Sequence, residues 1–306
     1  MSIELLLAAA LVSATPVLYA ALGELLAERA GVLNLGVEGT MLIGAVSGFA
    51  AATMTGSVAA GVLLAVLAGM AFGACFAFLV IVLRLNQIVT GLAFTILGTG
   101  VSALIGKPFI GVPPKVAVPR LDLGGEIAVI GPILLRHDLL VYGALLLTLL
   151  IAAYIRWTRP GLILRALGES PQAVDALGLP VAGLRFAYVV AGAGLAALGG
   201  AYLSLVFTPS WIENMTAGRG WIAIAIVIFA TWRPGWVLLG ALLFGAVDAL
   251  RFRLQIGGDP FMSVHFLNML PYIATLVVLA LVSRHGLRRR LGVPAALGIA
   301  YDRERR

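Results

Sequence analysis

Few residues in this chain are of the types that do covalent chemistry, and none is spaced for it. The one cysteine, Cys75, sits within an apolar run, and the three histidines, His137, His265 and His285, stand far apart. A lone cysteine can form neither an internal disulfide nor a CxxC metal pair. None of the histidines belongs to an HExxH pattern, so no metal site is expected. No Ser/His/Asp set is visible, and no catalytic residue is assigned. Gly100 to Pro108 imitates a phosphate-binding loop, but five residues separate Gly100 from Gly106, and Pro108 follows Lys107 where a hydroxyl is needed. If ATP drives this protein, the nucleotide binds to a separate chain, and no cofactor is expected in this one.

What remains is a set of polar side chains inside apolar runs. They are Asn34, Glu38 and Thr40; then Asn86, Gln87, Thr90, Thr95 and Thr99; then Asp248 and Asn268. An acid within an apolar span is costly and normally faces a bundle interior or water. Asn34 and Glu38 are four apart, a spacing that puts two residues on one helix face. Gly36 and Gly39 flank them and predict a broken helix, and broken spans commonly line solute sites. The chemistry on offer is hydrogen bonding to a small polar solute. Each candidate has a plainer role. Glu38 could hold the break together, the threonines could bond back to their own helix, and Asp248 could pair with Arg251.

These residues must be positioned by membrane spans. The chain is 61% hydrophobic and 11% charged, with a mean hydropathy of +1.06. A soluble domain averages about 45–50% apolar and about 25% charged. That excludes a soluble enzyme, a disordered chain and a nucleic-acid-binding domain. Spans of roughly 20 apolar residues fall near 4–27, 32–54, 57–83, 87–106, 138–156, 184–207, 220–232, 236–252 and 267–283. The expectation is an all-α polytopic membrane protein with about nine transmembrane helices, eight to ten. The seventh segment ends at Arg233-Pro234-Gly235 and is short enough to be a half-helix or re-entrant piece. Glu4 ahead of the first run and Arg29 after it read as an uncleaved first span rather than a secretory leader.

With the N-terminus outside, 14 of the 21 Lys and Arg residues fall on the inner side, which favours a cytoplasmic C-terminus. This bias explains the net charge of +7 through membrane lipid, without nucleic acid. Residues 1–306 read as one membrane domain. It has an extracytoplasmic loop at 107–137, an inner loop at 157–183 and a basic cytoplasmic tail at 284–306. Ala65, Gly69, Gly73 and Ala77 form a small-residue stripe for helix packing, and glycines crowd the sixth span at Gly192, Gly194, Gly199 and Gly200. Trp211, Trp221, Trp232 and Trp236 read as interface anchors.

The inner loop is too patterned for a connector. Ser170 suits an N-cap and Pro171 the first helical position. Gly178 suits the stop, and Pro180 prevents continuation. The expected helix spans 171–177, with Glu169 near its favourable N-terminus and Val174 and Leu177 on one face. It is too short to cross a membrane or to be stable alone, so it must dock, either on its own bundle or on a partner.

The stretch from Arg165 to Tyr202 resembles the coupling loop and following span of permease subunits of bacterial ABC importers, of the branched-chain amino acid, ribose and simple-sugar type. Gly168, Glu169, Ala173, Ala176 and Gly178 occupy the pattern's positions. Ala27 to Ala45, which contains Gly31-Val-Leu-Asn-Leu-Gly-Val-Glu-Gly-Thr40, resembles the signature of the nucleoside-type permeases in that family. Arg84-Leu-Asn-Gln-Ile-Val-Thr-Gly-Leu-Ala93 is a further match to that type. The resemblance covers about residues 20–285 and implies a multi-pass subunit of the bacterial inner membrane that imports nucleosides by alternating access. It also implies a coupling segment formed by Gly168–Gly178, including Ser170, Pro171, Val174 and Leu177. Its implied partners are a second, related permease, a cytoplasmic ATPase that binds the ATP, and an extracytoplasmic substrate-binding lipoprotein. A ribose-type sugar permease and a stand-alone ion-coupled transporter using Glu38 and Asp248 are the alternatives.

Overall fold

The computed structural model describes residues 3–115, 117–122, 131–256 and 292–301, with positions 269, 270, 273 and 277 between them. Ten α-helices make up nearly all of it. They are α1 (Ile3–Arg29), α2 (Val37–Thr55), α3 (Val58–Ala77), α4 (Gln87–Gly106), α5 (Leu139–Trp157), α6 (Arg159–Glu169), α7 (Pro171–Ala176), α8 (Val181–Tyr202), α9 (Arg219–Phe229) and α10 (Pro234–Ile256). Wider π turns extend α3 through Phe78–Val82 and α8 through Leu203–Phe207.

Six of these helices are long and apolar enough to cross a membrane: α1 to α5 and α8, the third and eighth counted with their extensions. Their limits lie close to the first six expected spans. The short α9 has 11 residues, roughly 16 Å at 1.5 Å per residue, and cannot cross about 30 Å of hydrocarbon. The expected span 267–283 lies almost wholly outside the described residues, as does Asn268.

Helix α8 is the axis of the bundle, with α1, α2 and α3 packed around it. Small residues permit this. A Cβ at Gly69 or Gly73 of α3 would overlap Ala197 or Ala193 of α8, and one at Gly200 would overlap the Met41 carbonyl of α2. In lipid the attraction between helices comes from such close backbone approach. The stripe expected on the third span therefore packs as read. The outward faces of α3, α4 and α5 carry Leu63, Leu67, Ile96, Leu104, Leu146 and Leu149, all exposed. These are apolar surfaces for lipid or another membrane chain.

At one end of the bundle lies an antiparallel ribbon, β1 (Arg120–Asp122) with β2 (Arg136–Asp138). The long loop expected at 107–137 thus contains a small β element in an otherwise helical chain. Asp138 then caps α5, accepting from the amides of Leu140 (2.9 Å) and Val141 (3.1 Å). At the other end lie α6 and α7, both within the expected inner loop. Only the second of them was anticipated.

Two tryptophans differ from the interface role read for them. Trp211 and Trp232 are buried. Trp211 packs against Gly106, where no side chain leaves it room, and the Trp232 indole donates to Glu28. Trp221 and Trp236 keep exposed surface.

Candidate functional site

The chain between α1 and α2 is not helical. Residues 32–36 run beside α4. Leu33 lies level with Gln87, and Leu35 approaches so near Gly91 that only glycine fits there. Gly39 reaches Phe94 and Gly98, nearly three turns along α4. The α2 helix therefore starts inside the bundle rather than at its end. Irregular backbone at such depth survives only if its polar groups are satisfied by protein or a wet cavity.

The polar residues singled out from the sequence supply that satisfaction. The Leu33 amide donates to the Gln87 side chain (2.8 Å), and the Gly36 amide donates to Asn34 Oδ1 (2.9 Å). The Leu35 carbonyl accepts from Thr95 (2.9 Å), and the Gly36 carbonyl accepts from Thr40 (3.0 Å). The Asn34 amide donates to Glu24 (3.0 Å). Asn34 and Glu38 consequently do not share a helix face, because Asn34 precedes the helix that Glu38 opens. The break suspected from Gly36 and Gly39 is real, and Asn34 stabilises it by closing a turn on Gly36.

Glu38 holds a second break. Residues 208–218 are irregular, with Gly218 at φ +81°, where a glycine is favoured. They lead into α9, whose N-terminus meets Glu38. One carboxylate oxygen accepts from the Thr216 hydroxyl (2.6 Å) and the Gly218 amide (2.7 Å), and the other from the Gly220 amide (2.6 Å). A carboxylate at this place satisfies orphan amides and complements the helix dipole. The side chain is buried, and both of its oxygens are occupied by the Thr216 hydroxyl and two backbone amides. Of the two roles read for it, this geometry fulfils the structural one.

Beside it, Asp248 pairs with Arg219 (3.3 Å) as well as Arg251 (3.0 Å). The Arg251 pair was anticipated. Arg219 was not anticipated; it is buried, with its guanidinium over the Phe207 ring.

The three threonines of α4 do not form one lining. Thr90 is buried, Thr95 bonds to the break, and Thr99 bonds back to the Thr95 carbonyl (2.9 Å). Asn86 is an exposed N-cap, accepting from the amides of Ile88 and Val89. Asn86 and Gln87 also border a cavity of about 340 Å³ at the α7 end, together with Leu33 and Arg84.

Sequence reading missed Glu24 and Glu28, two buried acids four apart on α1. The signal was available, since both lie at the end of an apolar span. Glu28 accepts from the Trp232 indole, and the neighbouring Arg29 donates twice to the Trp232 carbonyl (3.0 and 2.7 Å). Together they fix the turn between α9 and α10 to the end of α1.

The expected coupling segment is a separate construction. Ser170 caps α7 by accepting from the Ala173 amide (3.4 Å), with Pro171 at the first position. Gly178, at φ +77°, ends it. The Leu179 amide returns to the Val174 carbonyl (3.3 Å) and the Gly178 amide to Asp175 (2.8 Å), the Schellman pattern that a left-handed residue permits. Because this stop takes hold at Ala176, Leu177 leaves the helix and is exposed, while Val174 is buried. The two do not share a face as expected. Pro171 and Val174 anchor α7 inward; Ala173, Ala176 and Leu177 point into open surroundings. Glu169 ends α6, exposed and within electrostatic reach of Arg29. Gly168 abuts the Arg29 carbonyl, where a Cβ would overlap it.

Among the described residues no group of His, Cys, Asp or Glu could hold a metal; Glu24, Glu28, Glu38 and Asp248 each accept from a donor, while Glu28 Oε1 has no partner among those residues. A helical bundle with polar clamps on broken spans, and a capped helix offered at one end, is the build of a multi-pass membrane protein. Residues 6–282 match the family described as the permease component of the branched-chain amino acid transport system, and the chain belongs to that family. It is 38% identical, over 98% of both chains, to a Haloferax volcanii protein provisionally named as a glucose ABC transporter permease. It is 31% identical to the nucleoside ABC transporter permease of Lactococcus lactis, over 92% of each chain. It is 32% identical to the guanosine ABC transporter permease of Bacillus subtilis, over 99% of this chain and 98% of that one. The chain is thus a multi-pass cell-membrane permease of the ABC type.

Proposed function

We propose that this permease imports nucleosides by alternating access, powered by a separate cytoplasmic ATPase that docks on α7. The observation that carries the reading is the two-sided build of that helix. One side is anchored by Val174, and the other is free at Ala173, Ala176 and Leu177. A six-residue helix contributes nothing as a span and little as a lone helix. Capped at both ends and left open on one side, it suits a cleft on a partner. Gly168, Glu169, Ser170, Pro171 and Gly178 set its position.

In this reading the N-terminus is outside, the α6–α7 end and the tail are cytoplasmic, and α9 re-enters without crossing. A second, related permease completes the solute path, and an extracytoplasmic binding lipoprotein delivers cargo near 107–137. Asn86 and Gln87 border the inner exit. Asn34, Glu38, Thr40, Thr95 and Asp248 shape the path by fixing the broken spans, not by gripping the solute. The hydrogen-bonding side chains of Asn86 and Gln87 at that exit suit neutral nucleosides.

Glucose is the second reading, favoured by the name of the Haloferax relative. The test begins with gentle purification of the tagged protein from its own membranes and mass spectrometry of what accompanies it. A stoichiometric ATPase and a second permease are expected. Nucleosides, not glucose, should stimulate ATP hydrolysis when the binding protein is added. Stimulation by glucose alone would transfer the reading to sugars. Purification of the chain alone, with proton-driven uptake, would overturn the ATP-driven reading.

A further inference from the structure

Residues 292–301 lie across the α7 end of the bundle as a strap, and their contacts join the ends of α1, α6 and α8. The Ala296 amide donates to the Gly168 carbonyl (2.8 Å), at the end of α6 that leads into α7. The Gly298 amide donates to the Gly31 carbonyl (3.2 Å), at the start of the broken segment before α2. The Ile299 carbonyl accepts from Arg185 of α8 (3.0 Å). Two of these anchors are glycines whose missing side chains make room. A Cβ at Gly168 would press on Pro294, and one at Gly31 would press on Arg185 and the Ala296 carbonyl.

The strap also covers an opening. Gly298 and Ala300 form one wall of the 340 Å³ cavity, opposite Leu33, Arg84, Asn86 and Gln87. That volume is within the range of small-molecule sites, about 300–1,000 Å³. Its lining is mixed rather than greasy, and Gln87 links it directly to the Leu33 amide of the broken segment. The hold on the strap is uneven, with Leu297 and Tyr301 packed on the core. Pro294 and Ala296 are buried, while Val293, Gly298, Ile299 and Ala300 are exposed. Arg185, itself buried, has Nε and Nη2 without an acceptor among the described residues, so the carbonyl of the strap is a principal partner of an otherwise costly buried cation.

We propose that the 292–301 strap is the inner gate of the solute path, and that its bond to Gly168 ties opening of that gate to movement of α7. The proposal rests on the transport reading above. When α6 and α7 shift, the Gly168 carbonyl moves with them and carries Ala296. Gly298 and Ala300 then withdraw from the mouth beside Asn86 and Gln87.

The test uses the assembled transporter in proteoliposomes, with Cys75→Ala as background and Leu85→Cys with Ala300→Cys, two residues that line the same cavity. A short bis-methanethiosulfonate reagent bridges them, and a thiol reductant releases them. Bridging is expected to cut ATP-dependent uptake at least tenfold, and reduction to restore it. Either single cysteine with the same reagent should keep most uptake. Full bridging, verified by mass spectrometry, with uptake unchanged would overturn the gate alone. Absence of ATP-dependent uptake before any bridging would overturn the transport reading and the gate with it. A second variant, Ala296→Pro, removes the amide that reaches Gly168. It is expected to raise ATP hydrolysed per solute moved severalfold, and an unchanged ratio would overturn the proposed link.

Discussion

Two short helices, α7 and α9, show opposite ways of stabilising a segment too short to stand alone. Helix α9 enters from irregular chain inside the bundle, and the buried Glu38 carboxylate receives the Thr216 hydroxyl and the amides of Gly218 and Gly220. Helix α7 sits at the surface, capped by a serine hydroxyl and stopped by a glycine, with half of its residues exposed. The first is buried at seven of its eleven residues, with only Trp221 and Ile228 exposed. The second is held by two residues and keeps a face free. Isolated helices of either length are marginal in water. Burial therefore decides which one is scaffold and which is a contact.

The largest test of that contrast is Glu38→Ala. It strips three donors, two of them buried, of their acceptor and should cost about 3–5 kcal/mol, read as a large fall in thermal midpoint in detergent. A midpoint within a degree or two of the parent would end the view of Glu38 as a clamp. Asp248→Asn should cost about 2–3 kcal/mol, because it removes the negative charge that Arg219 and Arg251 share. The same melting measurement checks it. On the α7 side, Val174→Ala should cost only about 1–2 kcal/mol from lost apolar burial. Leu177→Ala should change stability by no more than about 0.5 kcal/mol, yet lower ATP-coupled uptake severalfold. Leu177→Ala lowering the midpoint as much as Val174→Ala would mean that α7 has no free face.

Much of the site was legible in the sequence because local rules governed it. Ser170-Pro171 and Gly178-Leu-Pro180 announce a capped helix wherever they are placed. Gly36 and Gly39 around Glu38 announced a break, and the small-residue stripe on α3 announced close packing. The errors came where distant residues decide. Asn34 and Glu38 have helical spacing, but the α2 helix starts only at Val37 because Gln87, Thr95 and Glu24 offer the preceding backbone better partners. Leu177 has the spacing of a buried partner to Val174, but the stop at Gly178 turns it outward. Arg219 looked like a surface charge until Asp248 met it across 29 residues. Trp232 looked like a belt residue until Glu28 met it from α1.

By itself the sequence determined that this is a helical membrane protein, where the six long spans among the described residues lie within the nine it placed, and that a capped helix stands outside them. Composition and local spacing suffice for these, because lipid demands length and apolarity and a cap demands only its neighbours. Only the tertiary structure decided what the intramembrane polar residues do. Irregular backbone within a bundle must be satisfied by whichever side chains other helices bring alongside it, and no local pattern records which helices those are. For the same reason it alone brought residues 292–301 beneath Gly31, Gly168 and Arg185, since those three meet only when α1, α6 and α8 are packed together.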